Sequence, residues 1–159
     1  MVLMIKLLLK RAENEIVTAE KLKRMSEDSE TKTFMEIPQD MTFYSAVISH
    51  SYYAIFYSAK SILLSKGITT SSPSVHKKTF QQFKKQFVDT GILDKKLLEI
   101  YQDLVIKAEV LLEIFKSEKK KRGEFTYTTI PQANKEPAET SLANAKLFVS
   151  NIMKVIESA

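Results

Sequence analysis

The residues best suited to chemistry lie around position 122, where a predicted helix ends. The segment 122–127 reads RGEFTY, so that Arg122 and Tyr127 stand five positions apart. A guanidinium can hold a phosphate through two parallel hydrogen bonds, and a tyrosine hydroxyl can donate another. The lysine run that precedes the segment would extend its positive charge: Lys119, Lys120 and Lys121. The pattern suits a ligand that carries phosphate.

Arg122 is in phase with the apolar side of its predicted helix. Ala108, Leu111 and Phe115 lead to it at spacings of three, four and seven. Its side chain would therefore point along the inner or interface side of a helical bundle. Two interpretations stay open: a ligand contact, or an arginine that snorkels from the helix end or caps its last carbonyls. The lysine run is open in the same way, because such a run is commonly a solvated helix end.

A second candidate group lies on the segment 43–66, FYSAVISHSYYAIFYSAKSILLSK. Its aromatic and polar line contains His50, Tyr53 and Tyr57, beside an apolar stripe at i, i+3, i+4 spacing. Tyr53 and Tyr57 are candidates for contacts with RNA or a nucleotide. His50, and likewise His76 further along the chain, is a candidate proton-transfer group, because imidazole titrates near neutral pH. The alternative for His50, and for His76, is a histidine that is only partly buried and hydrogen-bonded.

The composition excludes several classes of protein. The chain has no cysteine, which rules out disulfides, zinc–thiolate sites and a cysteine nucleophile. Its three glycines form no phosphate-cradling motif. With two histidines and no cysteine, a dedicated transition-metal site is a poor interpretation, and we expect neither a metal nor a cofactor. The net charge of +5 permits binding to RNA, phosphates or an acidic protein.

Apolar periodicity predicts a single all-α domain over residues 1–159. Its fold class is an antiparallel up-and-down bundle of four to five helices, with segment 43–66 at its centre. The expected helices cover about 3–29, 43–66, 74 or 75 to 91, 94–122 and about 138–156. The expected loops cover 31–39, 68–74 and 123–137.

Four residues are expected to set helix ends. Asp40 and Asp94 are the predicted N-caps of the second and fourth helices. Gly67 and Gly91 are the predicted ends of the second and third. Because the apolar run at the N-terminus is short and broken by Lys6, we interpret it as the start of a helix rather than as a targeting or membrane segment. We expect a cytoplasmic protein.

Four pieces of the sequence, of which the second is a loop to His76 together with residues 87–93, occur in a characteristic order. Residues 51–60, SYYAIFYSAK, are similar to an AYYAxFxxA helix core, and a loop then leads to His76. Residues 87–93, FVDTGIL, are similar to F-x-x-TG-x-L, the next helix ends in the motif 122–127, and a last amphipathic helix follows. Together these features, which cover nearly the whole chain, resemble the HEPN-domain family in its small stand-alone prokaryotic form.

The resemblance implies a helical bundle that forms a homodimer, with two arginine motifs facing a shared cleft. Many members of that family are metal-independent ribonucleases, toxins paired with a minimal nucleotidyltransferase, or modules that bind RNA or nucleotides. The ribonucleases use Arg-x4-6-His. Arg122 matches the arginine, but Tyr127 stands where the histidine would be. Tyrosine is a poor base at neutral pH, so the resemblance does not by itself imply catalysis.

Three functions follow as expectations. The first is a homodimer whose cleft binds RNA or a nucleotide through Arg122, Tyr127 and the lysine run, with a nucleotidyltransferase partner in a toxin–antitoxin-like pair. The second is a metal-independent endoribonuclease, in which Arg122 grips phosphate and Tyr127 or His50 transfers the proton. The third is a non-catalytic interaction module.

Overall fold

Helices make up most of the described backbone. A computed structural model describes the backbone of residues 1–121 and 134–158, and the side chains of residues 1–111 and 134–158. Within these residues there is no β-strand, and the six α-helices are α1 (Val2–Glu27), α2 (Ser29–Phe34), α3 (Tyr44–Ser65), α4 (Val75–Phe83), α5 (Lys95–Lys121) and α6 (Lys135–Glu157). A π-helical turn, Lys84–Val88, continues α4.

The four long helices alternate in direction. Contacts between α1 and α3 run antiparallel from end to end: Ile5 with Ser61, Glu15 with His50 and Ser26 with Phe43. Contacts between α5 and α6 are also antiparallel: Tyr101 with Phe148 and Lys107 with Ser141. The ion pairs between α1 and α6 follow the same rule: Glu20 with Lys146 and Lys23 with Glu139. The predicted all-α, antiparallel up-and-down bundle is confirmed.

The predicted central helix is α3. Thirteen of its 22 residues are buried, which requires neighbours on most of its sides. Alanines allow α1 to approach it closely, since Ala12 and Ala19 of α1 are fully buried. The buried serines are satisfied, because Ser51 donates to the Val47 carbonyl and Ser58 to that of Ile55. This helix therefore fixes the positions of the side chains on its remaining open face.

The connection between α1 and α3 differs from the prediction. Residues 31–39 were expected to form a loop, yet the first four of them belong to α2. The carboxylate of Asp28 accepts the Thr31 N–H at 3.0 Å and so caps α2. The buried ammonium of Lys32 then donates to the carbonyls of Gln39 at 2.6 Å and Met41 at 2.7 Å. These bonds hold the following turn against α2.

The predicted N-cap role of Asp40 is wrong. Helix α3 begins at Tyr44, and its N-cap position is Phe43, which makes no side-chain cap bond. Asp40 lies in the turn that Lys32 holds, so it is too far back along the chain to cap. The N–H of Phe43 instead donates to the Ser26 hydroxyl at 2.8 Å.

The other predicted helix ends fit more closely. Gly67 and Gly91 have φ angles of +73° and +77°, the left-handed region that favours glycine after a helix. The carboxylate of Asp94 accepts the Lys96 N–H at 2.8 Å, at the start of α5. Helix α6 begins at Lys135, before the predicted residue 138. Pro137 is tolerated there because the first turn of a helix has no acceptor for its N–H groups.

The apolar stripe of α5, predicted from periodicity at Leu97, Tyr101, Leu104, Ala108, Leu111 and Phe115, is core where the structure describes its side chains, up to Leu111. Leu97, Tyr101 and Leu104 are buried against α3 and α6. Rings from α4 and α6, Phe83 and Phe148, pack on Tyr101 with centroids 5.6 and 5.7 Å away. None of the described helices is both long and apolar enough to span a bilayer.

Candidate functional site

Part of the predicted site falls outside the described residues. Arg122 and Tyr127 lie in the interval 122–133, which the structure does not describe. Lys119, Lys120 and Lys121 belong to the last turn of α5, and their side chains are likewise outside the description. Their roles therefore remain predictions.

The structure does bring together the second predicted group, on the open face of α3. His50, Tyr53 and Tyr57, at spacings of three and four, form one line along the helix, here called the tyrosine row. The rings of Tyr53 and Tyr57 are stacked, with centroids 6.3 Å apart and an interplanar angle of 28°. Tyr53 is 39% exposed, and the other two are half-buried. The row thus offers aromatic surface to a ligand.

Helix α1 supplies charged side chains along one edge of the row. The guanidinium carbon of Arg11 lies 4.8 Å from the centre of the Tyr57 ring, a cation–π contact. Arg11 also lies 3.6 Å from the carboxylate of Glu15. That carboxylate in turn contacts Nδ1 of His50 at 2.5 Å. The carboxylate engages Nδ1 and so orients the imidazole, which leaves Nε2 as its other polar atom.

Helix α4 supplies the other edge through His76, which the sequence offered as a second candidate proton-transfer group beside His50. The His76 ring stacks on Phe56, with centroids 4.2 Å apart, and lies edge-on to Tyr53 at 6.1 Å. Its Nδ1 is 2.7 Å from the Tyr52 hydroxyl. No spacing rule links position 76 to positions 52 and 56, since they lie on different helices. The sequence offered two signals for His76, which were its imidazole and the resemblance that marked the loop leading to it, and neither predicted these contacts.

The protonation states at this edge follow from burial. Partial burial of the ring, and then the nearby ammonium of Lys60, lower the pKa of His76. Burial raises the pKa of Tyr52 well above its usual range. Tyr52 therefore stays protonated, and its hydroxyl shares one hydrogen bond with Nδ1 of a neutral imidazole. With Nδ1 engaged in this way, Nε2 is the ring nitrogen that is left for a ligand.

Cations flank the aromatic surface on both sides. Lys60 places its ammonium 5.6 Å from the centre of the Phe56 ring, at the α4 edge. At the α1 edge, the guanidinium of Arg11 lies over the Tyr57 ring. Aromatic faces between cationic groups are what single-stranded nucleic acids and nucleotides require, because bases stack and phosphates pair with cations. Among the described side chains, those of residues 1–111 and 134–158, no three histidine or acidic groups are placed to hold a metal ion.

The fold and this surface define a small helical-bundle protein with an aromatic row between two cationic edges. Over 114 residues, 72% of each chain, it is 31% identical to a protein of Methanocaldococcus jannaschii named "Putative toxin". The chain therefore belongs to the family of that protein.

Two further relatives agree with this assignment. A second Methanocaldococcus jannaschii protein with the same kind of name is 28% identical over 116 residues, which are 73% of this chain and 67% of that protein. A UPF0332 protein of Thermotoga maritima is 27% identical over 112 residues, 70% of this chain and 72% of that protein. No protein-family model matches the chain. No solved structure matches it either. Because no relative is named as a HEPN protein, that resemblance stays a prediction.

Proposed function

We propose that this protein is the toxin of a toxin–antitoxin-like pair and that it binds RNA or a nucleotide on the tyrosine row. The toxin role is supported by the names of two relatives. One observation carries the ligand class: the exposed ring of Tyr53 stacks on Tyr57, whose ring is in contact with Arg11, while Lys60 lies over the nearby Phe56 ring.

Each part of the surface has a role in this proposal. A base stacks on Tyr53, since every base has a π-face and stacking tolerates any sequence. Arg11 and Lys60 pair with phosphates on either side of that base. Nε2 of His76 forms a hydrogen bond with the ligand, because its Nδ1 is occupied by Tyr52.

The remaining elements of the proposal rest on the resemblance. Two copies of the chain form a cleft, in which Arg122 grips phosphate with help from Tyr127 and the lysine run 119–121. A nucleotidyltransferase is the proposed antitoxin partner.

A second candidate function is metal-independent RNA cleavage, and the pairing of His50 with Glu15 favours it. Nε2 of His50 would take the proton of a ribose 2′-hydroxyl, whose oxygen then attacks the adjacent phosphorus. The bond from phosphorus to the 5′-oxygen breaks, and the leaving oxygen receives a proton. Arg122 would neutralise the phosphate during the attack. Incubation of the protein with total RNA and a chelator tests this function, which is wrong if no products form at high protein concentration. If His50→Gln cleaves as well as the wild type, the role of His50 is wrong.

The salt dependence of RNA binding tests the primary proposal. The logarithm of the affinity for a single-stranded RNA should fall linearly with the logarithm of salt concentration, with a slope of about 0.7 for each phosphate neutralised. Arg11→Gln, Lys60→Gln and Arg122→Ala should each make the slope shallower, because each removes one phosphate contact. Lys95→Gln, on an exposed turn of α5, is the matched control and should leave the slope unchanged. Equal slopes in all variants would rule out phosphate contacts at these positions.

A further inference from the structure

The outward side of α1 carries a regular row of exposed side chains. Alternating steps of four and three separate its members, here called the outer row: Leu3, Leu7, Lys10, Asn14, Val17, Lys21 and Arg24. The opposite side of α1 packs into the bundle through Ala12 and Ala19. A step of 3.5 residues on average is the spacing with which one helix meets another along its length.

The apolar members of the outer row are unusually open to solvent. Leu3 is 70% exposed, Leu7 53% and Val17 52%. Val2 and Met4 widen the apolar area at the start of the helix, and both are exposed as well. Large apolar side chains that share one exposed helix face are typical of a surface that a partner covers.

All the charged members of the outer row are basic: Lys10, Lys21 and Arg24. Acidic residues beside the row are engaged elsewhere, since Glu20 pairs with Lys146 of α6 at 3.1 Å and Glu27 with Lys23 at 2.9 Å. The contact of Lys10 with Glu13 is long, at 3.9 Å, and solvent-exposed, so it neutralises little of the lysine's charge. The row therefore combines apolar and positive positions.

A second copy of the chain does not complement this row. Antiparallel pairing about Asn14 would set Leu7 against Lys21, Lys10 against Val17 and Leu3 against Arg24, with no apolar side chain against another. Parallel pairing would set each basic side chain against its own equivalent. The complementary surface is instead a helix with apolar side chains opposite Leu3, Leu7 and Val17 and carboxylates opposite the three cations.

We propose that the outer row of α1 is the docking site for an acidic amphipathic helix of a partner protein. The row from Leu3 to Arg24 is about 32 Å long at a rise of 1.5 Å per residue, so the docked helix has about six turns. The inference deepens the proposed function, because it names the surface on which the antitoxin would dock. It does not depend on RNA binding at the tyrosine row.

Designed peptides provide the test. The acidic peptide is a helix with leucines opposite the apolar positions of the outer row and glutamates opposite its cations. The basic peptide has lysine in place of each glutamate. Each peptide is made in both chain directions, because the direction of docking is not fixed in advance. Calorimetry with the full chain should show the acidic peptide binding at least about tenfold more tightly than the basic one, as three exposed charge pairs would give. Lys10→Glu with Lys21→Glu should reverse the preference, and Leu3→Ser with Leu7→Ser should weaken both peptides. Lys95→Glu with Lys96→Glu, on α5, is the matched control and should change nothing.

Three results would overturn the proposal. The first is equal affinity for the two peptides, or a preference that charge reversal on α1 leaves unchanged. The second is binding to vesicles of phosphatidylglycerol that is lost in the Leu3→Ser, Leu7→Ser variant, which would assign the row to a lipid surface. The third is a dimer that dissociates in that variant, which would assign the row to a second copy. RNA affinity measured on the same variants, which should stay at the wild-type value, separates failure here from failure of the proposed RNA site.

Discussion

The imidazole of His76 is held between a phenol and a phenyl ring. The Tyr52 hydroxyl is hydrogen-bonded to its Nδ1, Phe56 lies under its face, and Lys60 opposes a positive charge on it. Burial and the nearby ammonium lower the pKa of His76 and so favour the neutral ring over the cation. Because this preference for the neutral ring exists only in the folded protein, it makes the stability of the fold depend on pH.

Stability should fall as the solution is acidified through the range just below pH 6.5. The folded-state pKa of His76 lies below the ordinary value of 6.5, so the unfolded chain takes up a proton first as pH falls. The stabilisation is fully present above pH 6.5 and is lost as pH falls towards the lowered pKa. Urea unfolding between pH 7.5 and 5 should show a free energy of unfolding that changes less with pH for His76→Gln than for the wild type, because the variant lacks the imidazole with the lowered pKa. Both proteins retain His50, so it does not contribute to the difference. Parallel profiles would contradict the assigned environment of His76.

The hydroxyl of Tyr101 is buried and has no hydrogen-bond partner in the described part of the chain. Tyr101→Phe should therefore raise the free energy of unfolding, by up to about 1 kcal/mol, because it removes an unpaired polar group and keeps the ring. Tyr44→Phe is the matched comparison, since the Tyr44 hydroxyl donates to Glu27 at 3.2 Å. That change should lower the free energy of unfolding by about 1 kcal/mol. Chemical unfolding of both variants checks the contrast, and a loss of stability in Tyr101→Phe would show that its hydroxyl is paired.

The helices that bury a periodic apolar stripe could be predicted from the sequence. A helix that depends on individual hydrogen bonds between distant residues could not. Helices α3, α5 and α6 were found from the sequence because each buries a regular apolar stripe. Helix α2 was missed, because the Asp28 cap and the Lys32 bonds that define it give no periodic signal.

The candidate site likewise contains residues that the sequence could predict and residues that it could not. Tyr53 and Tyr57 were predicted because they share one helix, whereas Arg11 joins them only across the interface between α1 and α3.

The turn before α3 should depend on one buried lysine. Lys32→Met should lower the free energy of unfolding by about 2 kcal/mol, because two charge-assisted hydrogen bonds to the Gln39 and Met41 carbonyls are lost. Lys95→Met, at an exposed position, should change it little. The comparison requires urea unfolding of the two variants, and equal midpoints would show that Lys32 does not hold the turn.

At the scale of the whole molecule, the bundle presents two distinct surfaces, the tyrosine row on α3 and the outer row on α1. We expect two chains to associate as well, since the resemblance implies a cleft shared by two copies. Sedimentation equilibrium should then give twice the chain mass of 18.2 kDa. A species of one chain mass at all concentrations would contradict the shared cleft and leave the tyrosine row as the ligand surface of a monomer.

The central claim is that a base stacks on Tyr53, and the affinity of a labelled single-stranded RNA tests it most directly. Fluorescence anisotropy should show about 5- to 150-fold weaker binding for Tyr53→Ala, which corresponds to about 1–3 kcal/mol for one stacked base. Tyr53→Phe should bind nearly as well as the wild type, because it keeps the ring. Phe34→Ala removes another exposed ring, 89% exposed on α2, and should have no effect. Equal affinities for the wild type and Tyr53→Ala, or no RNA binding by either, would contradict the account.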